Sequence, residues 1–203
     1  MENDSEEESK SKKDNNLSSQ ANTIINSFNS NITNDNIEKI MIEKISILLS
    51  DICDENAKLY KTENSQYIKP FLSKNIPQIS INDYIERLYK YNKINSSTII
   101  LILIYIDRIC NINKFKLTYF NIHKLILASM IIAIKYNEDE YYSTQFYAKL
   151  GGVSIAEINS LEYYFLKLIK YNLFVTEDLF NKYNDYISSS ESDEDIDYDS
   201  DNI

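Results

Sequence analysis

Glycine and proline are nearly absent from this chain, and their scarcity constrains its fold more than any other feature. The 203 residues include two glycines and two prolines. Sandwiches and barrels depend on many tight turns, which are rich in these two residues. We therefore expect an all-α protein, with a core drawn from the 43% of residues that are hydrophobic. The same scarcity excludes a glycine-rich phosphate loop and a dinucleotide-binding fingerprint.

Apolar residues recur every three or four positions through most of the chain, which is the period of amphipathic helices. Ser80 and Ser154, each followed three residues later by an acid, predict capping boxes at two helix starts. The segment that begins at Ser96 is apolar almost all round, so we expect it at the centre of a helical bundle. The expected helices span about 36–62, 80–91, 96–111, 121–136, 144–150, 154–172 and 176–187.

The net charge of −10 is concentrated at the two ends of the chain. Residues 188–203 carry seven acids and no base, and residues 1–14 carry six acids and three lysines. The stretch between them holds 18 charges of each sign. We expect disordered tails over 1–34 and 188–203 around one domain over 35–187. A neutral domain argues against a nucleic-acid partner, because phosphate binding needs a clustered basic face.

The chain has few features of a membrane or secreted protein. Its longest apolar run, 99–106, is well below the ~18–20 residues that span a bilayer, and its acidic start lacks the apolar segment of a signal peptide. Cys53 and Cys110 have neither the CxxC spacing of a zinc site nor the number for a disulfide framework. We therefore expect a protein of the reducing cytoplasm and nucleus, with no membrane partner.

A search for catalytic residues yields no enzyme signature. His123 is the only histidine, so a histidine metal cluster is unavailable, and we interpret His123 as a helix-start residue. Glu138, Asp139 and Glu140 are adjacent acids, which is typical of a solvated loop rather than of the separated carboxylates of a glycosidase. We expect no enzymatic activity, no metal, no cofactor and no small-molecule substrate.

Asp107 lies inside the most apolar of the expected helices. A buried carboxylate is costly unless it is paired, and arginine is the partner best shaped to pair with it. We predict an ion pair between Asp107 and Arg87, with a role in architecture rather than activity. The alternatives are pairing with the adjacent Arg108 and a position at a wet edge.

Lys135 and Glu162 suggest a protein-binding surface. Lys135 ends its helix, where a cation complements the helix dipole, and this structural role alone would account for it. If its helix packs beside that of Glu162, the two charges share a patch with Tyr136, Tyr171 and Leu173. Apolar anchors with a few charges are typical of protein-binding hot spots.

Four segments of the chain resemble the cyclins, and within them the P/U-type (phosphate-regulatory) class. The NxHKL, YAKxGG and ExNxLExxFL strings are particular to this class, and their order and spacing fit across about 79–175. The segments are ISINDYIERLYKY (79–91), SSTIILILIYIDR (96–108), LTYFNIHKLILASMIIAIKYNED (117–139) and YAKLGGVSIAEINSLEYYFLKLIKYNLFV (147–175).

The resemblance implies a single five-helix cyclin box, with a core over about 79–175, a preceding N-terminal helix and a short C-terminal helix. It also implies a regulatory subunit that binds and activates a cyclin-dependent protein kinase by stabilising the kinase's active conformation. In the family pattern, the residues that contact the kinase or surround that contact match Lys135, Glu162, Tyr136, Tyr171 and Leu173. The internal ion pair of the family matches Arg87 and Asp107.

Two further expectations qualify the resemblance. The first box helix reads DYIERLYKY instead of the MRAIL motif of mitotic cyclins, which puts their docking groove in doubt. Glu138, Asp139 or Glu140 is expected to reach basic residues that hold the kinase activation loop, in the place of a phosphate, and Asp139 is the candidate to test. The alternative function is a cyclin-box scaffold or adaptor that does not activate a kinase.

Overall fold

The computed structural model describes residues 36–57, 69–92 and 94–189. The chain divides into two compact units, residues 1–40 and 41–203. A helix, α1, occupies residues 36–57; its first five residues are the described part of the first unit. The predicted tail over 1–34 lies outside the described residues, as do the end of the predicted first helix and the acidic tail from residue 190 onward.

The second unit is built from helices, and its described residues contain no strand. The all-α prediction is therefore confirmed. The helices begin within a residue or two of the expected positions, and α6 ends four residues earlier than expected. After a 3-10 turn at Lys69–Phe71, they are α2 (Ile81–Asn92), α3 (Ser96–Asn113), α4 (Ile122–Asn137), α5 (Thr144–Gly151), α6 (Ile155–Leu168) and α7 (Glu177–Ser188).

Side-chain caps explain where most helices begin. The Ser80 hydroxyl accepts a hydrogen bond from the Asp83 N–H and donates one to the Asp83 carboxylate. Each such cap contributes about 1 kcal/mol. Asn121 precedes α4 without capping it, because its side chain instead bonds the backbone of the preceding turn. The N-caps that accept from the N–H three residues later are Asn95, Ser143, Ser154 and Thr176.

Two helices form the centre of the bundle. Ten of the 18 residues of α3 are buried, as are 12 of the 16 residues of α4. Because α4 packs against α2, α3, α5 and α6, it is at least as central as α3, which the sequence had placed there alone. By length and hydropathy α3 resembles a membrane-spanning helix, but its burial among neighbouring helices accounts for its apolar character.

Helix α5 approaches α4 closely at Gly151. A Cβ atom on Gly151 would lie 2.3 Å from the Cδ2 atom of Leu127, which is fully buried in α4. Gly152 then ends α5 in the left-handed conformation, with φ of 72°. The two glycines therefore serve different purposes, one in helix packing and the other in chain reversal.

The predicted ion pair between Arg87 and Asp107 is wrong. The Asp107 carboxylate accepts hydrogen bonds from the Tyr183 hydroxyl, at 2.7 Å, and from the Asn111 side chain, at 2.9 Å. The Arg87 guanidinium lies on the exposed side of α2, 3.5 Å from the Lys149 carbonyl oxygen. The reason is the helix arrangement, since α2 packs against α4 and α5 while Asp107 faces α7.

Helix α7 closes the described part of the unit. Its Ile187 is buried, and the Lys44 ammonium of α1 donates to the carbonyl of Ser189, immediately after the helix. Ser188 is still helical, so the ordered domain extends slightly beyond the predicted boundary at 187.

Candidate protein-binding site

Lys135 and Glu162 form an ion pair that joins the end of α4 to the middle of α6. The Lys135 Nζ atom lies 2.6 Å from the Glu162 Oε2 atom, and the two side chains are 30% and 19% exposed. Lys135 lies in the last turn of α4, where its charge also complements the helix dipole. The two helices are neighbours in the structure, which is the condition on which the sequence analysis placed both charges on one patch.

The other carboxylate oxygen of Glu162, Oε1, is buried and has no hydrogen-bond partner within the described ranges. A buried acceptor without a donor costs about 1–3 kcal/mol, so each case in a folded protein calls for an explanation. Lys135 has three N–H donors, and the bond to Glu162 uses one of them. Lys135 is therefore able to donate to a partner at the surface, whereas the Oε1 atom of Glu162 is covered by the protein itself.

Exposed aromatic side chains lie on the segments that carry this pair. Tyr136 follows Lys135 and is 52% exposed, while Tyr163 follows Glu162 and is 49% exposed. Tyr141 and Tyr142 follow on the loop after α4, and both are exposed. Large exposed aromatics near a partly exposed charge pair are characteristic of protein-binding surfaces.

Residues 171–175, after α6, contribute a further part of this surface. Tyr171 and Phe174 are 63% and 68% exposed, whereas Leu173 is half-buried against the core. Sequence reasoning named Leu173 and missed Phe174. Leu173, Phe174 and Val175 alternate between core and solvent in the structure, but three residues are too few to show this period in the sequence.

Tyr105 of α3 connects this segment to the end of α4. Its hydroxyl donates to the Leu173 carbonyl at 2.9 Å. Burial raises the pKa of Tyr105, while a hydrogen bond with the Asn137 side chain lowers it. The contacts of one buried hydroxyl thus place Leu173 beside the last turn of α4, which carries Lys135 and Tyr136.

The three acids after α4 have different surroundings. Glu138 accepts hydrogen bonds from the Thr98 hydroxyl, at 2.5 Å, and from the Asn95 side chain, at 2.9 Å. It is therefore tied to the start of α3. Asp139 and Glu140 are exposed, and Asp139 is accessible to a partner.

His123 is buried near the start of α4, as the sequence suggested. Its Nε2 atom lies 3.0 Å from the Ile79 carbonyl oxygen, and its ring packs edge-on against Tyr84 with centroids 5.1 Å apart. Burial lowers its pKa. The described residues contain no cluster of three or more His, Cys, Asp or Glu side chains that would hold a metal ion.

Comparison with known proteins identifies the family. The family model described as Cyclin matches residues 1–173 of the chain. Cyclin-U4-1 of Arabidopsis thaliana is 32% identical over 158 residues, covering 77% of this chain and 78% of that protein. PHO85 cyclin-like protein psl1 of Schizosaccharomyces pombe is 33% identical over 186 residues, covering 85% of this chain and 76% of that protein. PHO85 cyclin-7 of Saccharomyces cerevisiae is 34% identical over 128 residues, covering 57% of this chain and 45% of that protein. The chain therefore belongs to the cyclin family, in the class that contains the U-type, P-type and PHO85 cyclins.

Proposed function

We propose that this cyclin is the regulatory subunit of a cyclin-dependent protein kinase, which it binds through Lys135, Glu162 and the aromatic residues beside them. The observation that carries the proposal is the partly exposed Lys135–Glu162 pair, in which the lysine keeps spare donors beside the exposed Tyr136. Two of its relatives are named as PHO85 cyclins or cyclin-like proteins, which supports a kinase as the partner.

The pair is suited to bind polypeptide backbone. The Lys135 ammonium would donate to partner carbonyls, while Glu162, whose Oε2 atom accepts from the ammonium at 2.6 Å, holds it in place. Tyr136, Tyr171 and Phe174 would cover these bonds and exclude water, which strengthens them. Leu173 supports this surface from below, because it is packed against the core.

Activation requires no chemistry from the cyclin. A partner that binds one of two kinase conformations more tightly shifts the population toward that conformation by its differential affinity. In our proposal the favoured conformation is the active one. The exposed Asp139 would pair with the basic residues that hold the kinase activation loop, in the place of a phosphate. This role involves no nucleic acid, membrane or small-molecule substrate, and we place it in the cytoplasm and nucleus.

The test measures binding and kinase activity together, with purified protein and cyclin-dependent kinases from the same source. We expect the Lys135→Ala/Glu162→Ala double variant to bind at least about tenfold more weakly than the wild type. Lys124 and Glu157 provide a matched control, because they form the other ion pair between α4 and α6, at 2.7 Å. Lys124→Ala/Glu157→Ala is expected to keep wild-type affinity once both variants are shown to be helical.

Three outcomes decide between the functions. Equal losses in the two double variants would mean that binding depends on helix packing and not on the proposed surface. Binding without activation would favour the scaffold or adaptor. If the Asp139→Lys variant activates the kinase as well as the wild type does, the proposed role of Asp139 is wrong. The kinase-binding role would remain intact.

A further inference from the structure

Two side chains of α3 hold three successive carbonyl groups of the segment that follows α6. The Arg108 Nη1 atom lies 2.6 Å from the Asn172 carbonyl oxygen and 3.1 Å from that of Phe174. The Tyr105 hydroxyl donates to the intervening carbonyl, that of Leu173, at 2.9 Å. The backbone of residues 172–174 is therefore held from α3 at every carbonyl. We call Arg108 and Tyr105 the carbonyl clamp.

Both clamp residues project from the same face of α3, because positions 105 and 108 are three apart on a helix. Arg108 binds the carbonyls of Asn172 and Phe174, while Tyr105 binds that of Leu173. All three carbonyls are therefore directed toward this face of α3.

The backbone just before the clamp adopts an unfavourable conformation. Lys170 and Tyr171 are consecutive residues in the left-handed region, with φ of 55° and 57°. This region disfavours residues with a side chain, and such conformations persist only where the surrounding structure enforces them. On one side the Tyr171 N–H donates to the Leu166 carbonyl at 2.8 Å. On the other side the clamp begins at the next residue.

The segment under this constraint carries two of the most exposed aromatic side chains in the described part of the chain, Tyr171 and Phe174. Solvent-exposed side chains do not order their own backbone, because they gain little from any one conformation. A backbone that is already ordered spares a binding partner the entropy of ordering it. The clamp thus makes the aromatic groups available in a fixed arrangement before a partner arrives.

We propose that Arg108 and Tyr105 are positioning residues of the kinase-binding surface, which act through Tyr171 and Phe174 without touching the kinase. This inference rests on the proposed function. It assigns Arg108 a role that the sequence analysis did not consider, since Arg108 entered there only as an alternative partner of Asp107.

The first test needs no kinase. Hydrogen exchange of the Lys170, Tyr171 and Asn172 amides is measured in wild type, Arg108→Ala and Tyr105→Phe. We expect exchange at least about tenfold faster in both variants, with the amides of α2 unchanged. Arg87→Ala is the matched control, because Arg87 contacts the end of α5 and not this segment. Unchanged exchange in both clamp variants would overturn the inference whether or not a kinase binds.

The second test measures kinase affinity in a double-mutant cycle. We expect Arg108→Ala to weaken binding about tenfold in the wild-type background and less than about twofold in a Tyr171→Ala/Phe174→Ala background. Equal losses of affinity in the two backgrounds would show that Arg108 contacts the kinase itself or acts through overall stability. If Arg108→Ala binds the kinase with wild-type affinity, the clamp is irrelevant to binding. A wild-type protein that binds no kinase would instead overturn the proposed function.

Discussion

The Tyr183 hydroxyl donates a 2.7 Å hydrogen bond to the Asp107 carboxylate and so joins α7 to α3. Burial raises the pKa of Asp107, and the bond from Tyr183 lowers it. The hydrogen bonds to this half-buried carboxylate thus come from a neutral hydroxyl and an amide, while the charge of the adjacent Arg108 also lowers its pKa. This contact makes the last helix a part of the domain.

Removal of that hydroxyl is expected to destabilise the protein. Tyr183→Phe leaves the carboxylate with fewer donors in a partly desolvated position, so the free energy of unfolding should fall by about 1–2 kcal/mol. Urea denaturation measures the change. Tyr186→Phe makes the same replacement at a 43% exposed position of α7 and should change stability by less than about 0.5 kcal/mol. Equal effects of the two variants would contradict the importance of the contact.

The stability of the protein should depend on pH through His123. Its Nε2 atom bonds a carbonyl and therefore carries the proton, while Nδ1 is buried without a partner within the described ranges. Because burial lowers the folded-state pKa, the unfolded chain takes up a proton first as the pH falls. The contribution of neutral His123 to the free energy of unfolding is fully present above pH ~6.5, and it declines as the pH falls from there toward the lower pKa of the folded state.

His123→Gln tests this prediction, because glutamine does not titrate and is able to donate to the same carbonyl. The urea denaturation midpoint is measured at neutral pH and at about one pH unit below the usual histidine pKa of ~6.5. The difference between the two midpoints should be smaller in the variant than in the wild type. His123 is the only histidine, so no other imidazole contributes in this window. An identical pH dependence in the two proteins would refute the prediction.

Lys114 should be replaceable by glycine with a gain in stability. It ends α3 with φ of 51°, and its side chain is exposed. Glycine adopts the left-handed conformation without steric cost, so Lys114→Gly should raise the free energy of unfolding by about 0.5–1 kcal/mol despite the greater freedom of the unfolded chain. Thermal denaturation measures the shift. Lys116→Gly, at an exposed position without positive φ, should lower stability instead.

Glu162→Gln should separate binding from stability. The Lys135–Glu162 pair is partly exposed, and such pairs contribute little net stability, so unfolding should change by less than about 1 kcal/mol. Affinity for the kinase should nevertheless fall about tenfold, because the amide replaces the negative acceptor. Parallel denaturation and binding measurements check the two halves. A large loss of stability with unchanged affinity would assign the pair a purely structural role.

Local signals account for what the sequence predicted well. Ser80, Ser154 and Thr176 lie at the starts of α2, α6 and α7, as predicted. These caps could be recognised from the sequence because a cap involves only residues three positions apart. The end of α6 was misplaced because its reversal uses Lys170 and Tyr171 in a conformation that glycine usually signals.

Contacts between distant elements account for what was missed. Asn111, one hydrogen-bond partner of Asp107, is four residues away, but the other, Tyr183, comes from α7, 76 residues away, and nothing near Asp107 in the sequence indicates it. The sequence placed Lys135 and Glu162 on one patch only on condition that their helices are neighbours, which tertiary packing decides, and it did not predict their ion pair. Phe174 was missed because alternation over three residues is too short to be recognised without the structure.

Gly151 and Leu127 form a pair in which each residue limits the other. The 2.3 Å separation that a Cβ atom would have from Leu127 leaves no room for alanine unless the leucine moves or becomes smaller. Across related cyclins, the two positions should therefore covary, with a larger residue at one accompanied by a smaller residue at the other. The close approach of α4 and α5 thus depends on both positions together. Selection should therefore remove a substitution at either position alone.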